Sequence, residues 1–408
     1  MTVTVNTASL TDDARAMCED LTRLRHRLHA EPETGLQLPR TQEKVLAALV
    51  GLPLEITTGT SLTSVTAVLR GARPGGTVLL RGDMDALPVQ EKSGVGYASQ
   101  VEGLMHACGH DLHTTMLAGA AHLLSARRDR LVGDVVFMFQ PGEEGYDGAA
   151  AMVAEGVLDA SGRRVDAAYA LHVMSAGIAP STFETRRGPF LAASDTVRVT
   201  VTGAGGHGSM PHRAKDPLVA ACEMVTALQT HITRGFDVFD PVVVTVGAFH
   251  SGTQHNVIPE QACFEATVRS FSPQAHAAIK DGFVRVCRGI AAAHGVTVEV
   301  DYAECYPVTV NDAAEAEFAV DVVAETLGEE RVSWAPRPIA GSEDFSRVLD
   351  EVPGVFIGLG AAPRDADMQS APDNHSPLAV FDDAVLSDGA AVYAELAVRR
   401  LEALTPTT

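Results

Sequence analysis

Residues 199–212 read VTVTGAGGHGSMPH, and the fold turns on how they are taken. Gly203, Gly205 and Gly208 spell G-x-G-x-x-G behind an alternating Val/Thr strand, and Glu223 stands where a ribose-binding acid would, so the stretch carries a dinucleotide-binding fingerprint. In a dinucleotide fold, however, the helix begins within the glycines so that its N-terminus meets the pyrophosphate, and the acidic residue ends the second strand. Here SMPHRAKDP follows Gly208, which puts the helix start near Asp216 or Pro217 and Glu223 inside that helix. A Rossmann first strand would also be apolar throughout, whereas Val197, Val199 and Val201 alternate with polar residues. The stretch therefore reads as a loop presenting His207, with the glycines supplying a flexible, close-approaching backbone.

Working outward, a strand from Ser194, a helix over about 217–232, strands at 242–246 and 262–268, a helix over 274–293 and an alternating strand 296–302 give the order β-α-β-β-α-β. That is a ferredoxin-like α+β unit, read as an inserted domain at 191–304. On either side the character is different. Near-continuous apolar strands at 64–69, 78–80, 135–139, 167–171 and 354–359 alternate with helices at 12–30, 41–50, 113–125, 148–156, 313–327 and 382–401. This predicts a discontinuous α/β catalytic domain, 1–190 plus 305–408, around a central, mostly parallel sheet. In such sheets chemistry collects beyond the carboxyl ends of strands, where Asp83/Asp85, Glu143/Glu144 and His172 all fall.

Of 408 residues, 52 are acidic and 31 are Lys or Arg, a formal charge of −21 that argues against non-specific binding to nucleic acid or an anionic membrane. The N-terminal stretch lacks the basic and apolar regions of a signal peptide, and no segment has the roughly twenty apolar residues of a membrane span, so a cytoplasmic location is expected. The six cysteines include no C-x-x-C pair, which points away from a disulfide framework or zinc knuckle.

The densest chemistry lies in MHACGHDLH, 105–113, where thiol and imidazole donors sit in a short glycine-containing loop of the kind a borderline divalent metal such as zinc prefers. Glu143 and Glu144 are adjacent carboxylates on a Pro-Gly turn, able to divide the work of holding metal and water. His172 closes an apolar strand, an odd place for an ionisable group without a ligand or hydrogen bond. His375 lies in the polar loop APDNHSPL. Together Cys108, His110, Glu144, His172 and His375 offer five donors, enough for two metals sharing a water and a side chain, and such a site is built for hydrolysis.

RGDMDALPVQE (81–91), MHACGHDLHTTMLAGAA (105–121), QPGEEGYDGAAAMV (140–153), LHV (171–173), GGHGSMPH (205–212), HNVIPE (255–260), TVR (267–269), GSEDF (341–345) and NHSP (374–377) together resemble the M20 metallopeptidases. The resemblance is strongest to the aminoacylase, hippurate hydrolase and auxin-conjugate amidohydrolase branch, and it runs in order along nearly the whole chain. It implies that Cys108, His110, Glu144, His172 and His375 bind two divalent ions, zinc in the first place with manganese, cobalt or nickel as alternatives. It implies Glu143 as general base, Asp85 as the carboxylate orienting the site, and His207 as the oxyanion stabiliser. Asn256, Arg269 and Gly341 match substrate-binding positions, although GSEDF departs from the common GGEDF at Ser342. The inserted domain would be a lid and the seat of a homodimer. The implied reaction is hydrolysis of an N-acyl amino acid by a metal-bridging water, giving a carboxylic acid and a free amino acid. A dipeptidase or an N-acetyl-diaminopimelate deacetylase is the alternative within the family, and a nucleotide-dependent oxidoreductase or a catalytically inactive scaffold the alternatives outside it.

Overall fold

The computed structural model describes residues 9–405 except Gln369. The chain divides into two compact units, one made of Met1–Phe190, Val310–Arg337 and Asp344–Thr408, the other of Leu191–Thr309 and Pro338–Glu343.

The first unit is an α/β layer structure. Its eight-stranded sheet runs in the order Leu54–Thr58, Val65–Arg70, Val132–Gln140, Arg73–Asp83, Ala167–Met174, Gly354–Gly360, Phe183–Thr185, Val332–Trp334. The four strands from Val132–Gln140 to Gly354–Gly360 are mutually parallel, while both flanks join them antiparallel. The parallel strands are buried almost end to end, which is why their sequences are apolar runs without alternation. His110–Ser125 packs on Val385–Ala403, and both lie against Arg73–Asp83. Every residue from His110 to Leu124 is buried, so this helix is a core element with no solvent-exposed face.

Some boundaries differ from those expected, each for a local reason. The single helix over 12–30 is two, Leu10–Ala16 and Cys18–Ala30, because the Met17 N–H turns back to Ala14 O and leaves the regular ladder. The central helix starts at His110 rather than His113, since Gly109 in the left-handed region (φ 83°) sets the chain directly into it. Ala167–Met174 continues past His172 through its pairing with Gly354–Gly360, so His172 lies within the strand and does not end it.

The second unit has the antiparallel order Val242–Ser251, Gln261–Ser270, Ala193–Thr202, Thr297–Tyr306, with helices Pro217–Gly235 and Pro273–His294 packed through Val197, Val199, Val201, Leu228, Phe264 and Phe283. Its topology is ferredoxin-like. Asp216 caps the first helix by accepting the Leu218 N–H, with Pro217 at the position where a missing N–H costs nothing. No helix among the described residues is long and apolar enough to cross a membrane.

Candidate active site

Two loops leave the carboxyl edge of the parallel strands, one carrying Asp85 and the other Glu143 and Glu144, while His172 projects from within a third strand, Ala167–Met174. Cys108 and His110 join them at the start of the central helix, and His375 comes from the loop before Val385–Ala403. His375 Nε2 lies 3.2 Å from Cys108 Sγ and 3.2 Å from Glu144 Oε1, and His172 Nε2 lies 3.5 Å from the same sulfur. Among the groups of three donor atoms within 4.8 Å of one another are two triads that contain Cys108, Cys108/His110/His172 and Cys108/Glu144/His375. The triads share the Cys108 sulfur. Ligands bound to one ion at about 2.0–2.3 Å stand roughly 3–4 Å apart, so each triad has the spacing of a metal site.

The donor chemistry fits as well. Both ring nitrogens of His110 are buried and make no hydrogen bond among the described residues, and such groups are costly to bury unless something satisfies them. Burial, reinforced by His113, holds His172 well below the usual histidine range, leaving its ring in the neutral form that binds metal. His375 is pushed up to about 10 by its hydrogen bonds to Cys108 and Glu144. Burial opposes charge on His110, yet Asp83 and Cys108 outweigh it and raise the ring well above its ordinary value.

Glu143 is buried, and its carboxylate lies within 4.8 Å of the donor atoms of His110 and Glu144. The glutamate pair is aimed by Asp85, which is 1 % exposed and accepts the backbone N–H of Glu143 at 3.0 Å and of Glu144 at 3.0 Å. Its Oδ1 stands 3.5 Å from His110 Nδ1. One carboxylate therefore fastens the Glu143–Glu144 turn to its own loop and stands beside the start of the central helix.

Behind this layer lies a buried network in which the sequence reading marks Asp83 and His113 and gives no role to Arg81 or Gln140. Arg81 pairs with Asp83 at 2.7 Å and Asp344 at 3.0 Å and donates to Gln140 Oε1 at 2.8 Å. Asp83 holds His113 Nδ1 at 2.5 Å, and His113 Nε2 accepts the N–H of Val173 at 2.7 Å, beside His172. His113 is thus a buried support with its tautomer set by Asp83. The available signal was an arginine in an otherwise apolar strand, which is untenable there unless paired.

His207, Asn256, Arg269 and Gly341 all belong to the second unit. Gly206–His207 pairs with Val257–Ile258 in a two-stranded ribbon, and Ser209 Oγ meets His207 Nδ1 at 2.8 Å. The neighbouring glycines make no nest: Gly203, Gly205, Gly206 and Gly208 all lie outside the left-handed region. They are needed for close packing. A Cβ at Gly203 would stand 2.0 Å from Lys215 O, and one at Gly208 2.9 Å from Asn256 O. Asn256 is exposed, and Arg269 Nη1 donates to Thr267 Oγ1 at 2.7 Å and Val268 O at 2.9 Å. Gly341 O accepts the Ala192 N–H at 2.9 Å.

Two donor triads sharing a thiol, with a buried carboxylate beside them at the edge of a parallel sheet, are the equipment of a metal-dependent amide hydrolase of the two-metal kind. The chain belongs to peptidase family M20/M25/M40, whose description matches residues 79–399. It is 36 % identical over 394 residues to thermostable carboxypeptidase 2 of Saccharolobus solfataricus, covering 96 % of this chain and 98 % of that one. It is 34 % identical over 385 residues to an N-acetylcysteine deacetylase of Bacillus subtilis, covering 94 % and 97 %. Among solved structures, a dinuclear metal-binding M20 peptidase of Bacillus subtilis superimposes with a TM-score of 0.81 at 33 % identity, over 95 % of this chain and 99 % of that one.

Proposed function

We propose that this enzyme hydrolyses the amide bond of small N-acyl amino acids, releasing a carboxylic acid and a free amino acid. The observation that carries the reading is the pair of donor triads meeting at Cys108 with Glu143 beside them. Cys108, His110, Glu144, His172 and His375 would hold two divalent ions, and the thiolate and imidazole donors favour zinc over manganese, cobalt or nickel. Such ions, when bound, would lower the pKa of a water and polarise the amide carbonyl. Glu143 takes the proton from the attacking water and passes it to the leaving amine. Asp85 keeps Glu143 and Glu144 in register for this through their backbone N–H groups.

His207, carried on the second unit, donates to the oxyanion of the tetrahedral intermediate. Arg269 offers a planar fork for the α-carboxylate of the amino-acid half, Asn256 a polar contact to the amide, and Gly341 a backbone contact. The second unit acts as a lid and as the contact between two copies in a homodimer. The partner is a small molecule, with no nucleic acid or membrane involved, and a cytoplasmic location suits such a substrate. The N-acetylcysteine deacetylase relative supports an N-acyl amino acid, while the carboxypeptidase relative supports a second reading in which a peptide bond next to a free C-terminus is cut.

Metal-loaded enzyme assayed against N-acetyl, N-aliphatic-acyl and N-benzoyl amino acids beside N-blocked dipeptides separates the two. Preferred turnover of the simple acyl series is the expected result, and preferred turnover of the peptides would reverse the order. In the same assay Glu143→Gln should lower kcat at least a thousandfold while metal content stays unchanged; an active Glu143→Gln enzyme would remove the assigned base.

A further inference from the structure

We propose that Asn374 is a positioning residue of the metal site, tuning the Cys108 sulfur and clamping its neighbour His375 in ligating position. The inference rests on the reading of Cys108 and His375 as ligands. The orientation of the Asn374 amide is settled by the Ser175 N–H, which at 2.8 Å needs an oxygen, so Oδ1 faces it, while the Ser175 hydroxyl lies 2.8 Å from Pro372 O and 2.9 Å from the same Oδ1. Nδ2 is thereby turned toward the site. It donates to Val173 O at 2.9 Å, to Cys108 O at 3.2 Å and, more weakly, to Cys108 Sγ at 3.7 Å. One side chain thus touches the residue after His172, both the carbonyl and the sulfur of Cys108, and adjoins His375.

The backbone beside it carries the matching tension. His375 is one of three described residues other than glycine with positive φ, at 71°, a conformation that persists only where the surroundings hold it. Its own N–H is anchored on Ala107 O at 2.8 Å. The Asn374–His375 pair is therefore fastened to Ala107–Cys108 at two points, one through backbone and one through the Asn374 amide. An N–H directed at a thiolate lowers the energy of its lone pairs, and a neutral amide does so without adding a charge that would compete with a cation. No acidic or basic residue could serve both ends of this contact: a carboxylate would face the Val173 and Cys108 carbonyls and the sulfur, and an ammonium would oppose the ions.

The test uses the full-length enzyme, stripped and reloaded with Co(II), with the sulfur-to-cobalt charge-transfer band as the spectroscopic readout and chelator competition as the affinity readout. Asn374→Asp and Asn374→Ser, checked for native circular dichroism, should bind Co(II) about tenfold or more weakly, the range of losses for residues that orient metal ligands. Their charge-transfer band should move to lower energy, because a thiolate deprived of its donor gives up electron density more readily. A band present in the unaltered enzyme but unmoved in both folded variants, at unaltered affinity, overturns this inference alone. Absence of the band from the unaltered enzyme overturns Cys108 as a ligand and the inference with it. If Asn374→Asp does not fold, Asn374→Ser decides on the same two readings.

Discussion

The hydrogen bonds of His375 to Cys108 and Glu144 push its pKa up to about 10, so an ion bound as proposed above would have to displace a proton. A ring must be neutral to ligate, so at pH 7–8 the bound proton has to leave when the ion enters. The sign follows: apparent affinity should climb as pH rises toward the His375 value and fall as pH drops below it. Calorimetric titration with Zn(II) in buffers of different ionisation enthalpy should show net proton release at pH 7.5, and a heat independent of buffer would contradict it. At this scale the identity of the residues that the structure brings together was largely legible. Cysteine, histidine and glutamate at 108, 110, 144, 172 and 375 announce themselves because few structural roles require those types at strand ends and glycine turns. Asn374 and Arg81 did not, since the value of an amide or a buried guanidinium lies in what it faces, and nothing in the linear order says that Asn374 meets Cys108.

Elements bring these residues together through a few backbone positions with no latitude. Gly109 is the clearest: it is left-handed, it starts the buried helix with His110 as first residue, and a Cβ there would stand 2.3 Å from Val173 Cγ2. Gly51 is equally left-handed (φ 84°) with nothing within 4 Å of its virtual Cβ. Gly51→Ala should therefore cost only the conformational term, about 1–2 kcal/mol, while Gly109→Ala adds a clash inside a packed core and should cost at least about 3 kcal/mol. Urea unfolding of the two variants beside the unaltered protein measures the difference, and equal costs would refute the packing argument. Element types were largely readable from periodicity; their ends were not. The central helix begins three residues early because a left-handed glycine admits it, and the strand 167–174 outruns its apolar run because a partner strand supplies the hydrogen bonds. The glycines at 203–208 look like a phosphate cradle in the sequence, whereas the space they leave is filled by Lys215 and Asn256 backbone.

For the whole molecule, the second unit ends its sheet in Val242–Ser251, an edge strand that leaves Val243 46 % exposed. An exposed apolar edge invites a second copy, and we expect light scattering after gel filtration to give twice the 42.9 kDa of one chain, with Val243→Glu shifting the population toward monomer. A monomeric unaltered protein at micromolar concentration would count against the proposed assembly. The two kinds of packing were visible in advance, because continuous apolar strands can only be buried on both faces and alternating ones on a single face; that the apolar strand Val65–Arg70 joins the parallel centre of the first sheet antiparallel was not. The sequence by itself determined these layers, the donor types and the family. Only the tertiary structure decided that Cys108 belongs to both triads, that Asp85 holds two glutamates by their backbone, and that Asn374 faces the sulfur. Periodicity reports which side of an element is buried, whereas a coordination geometry depends on distances between residues hundreds of positions apart, which exist only once the strands and helices have packed.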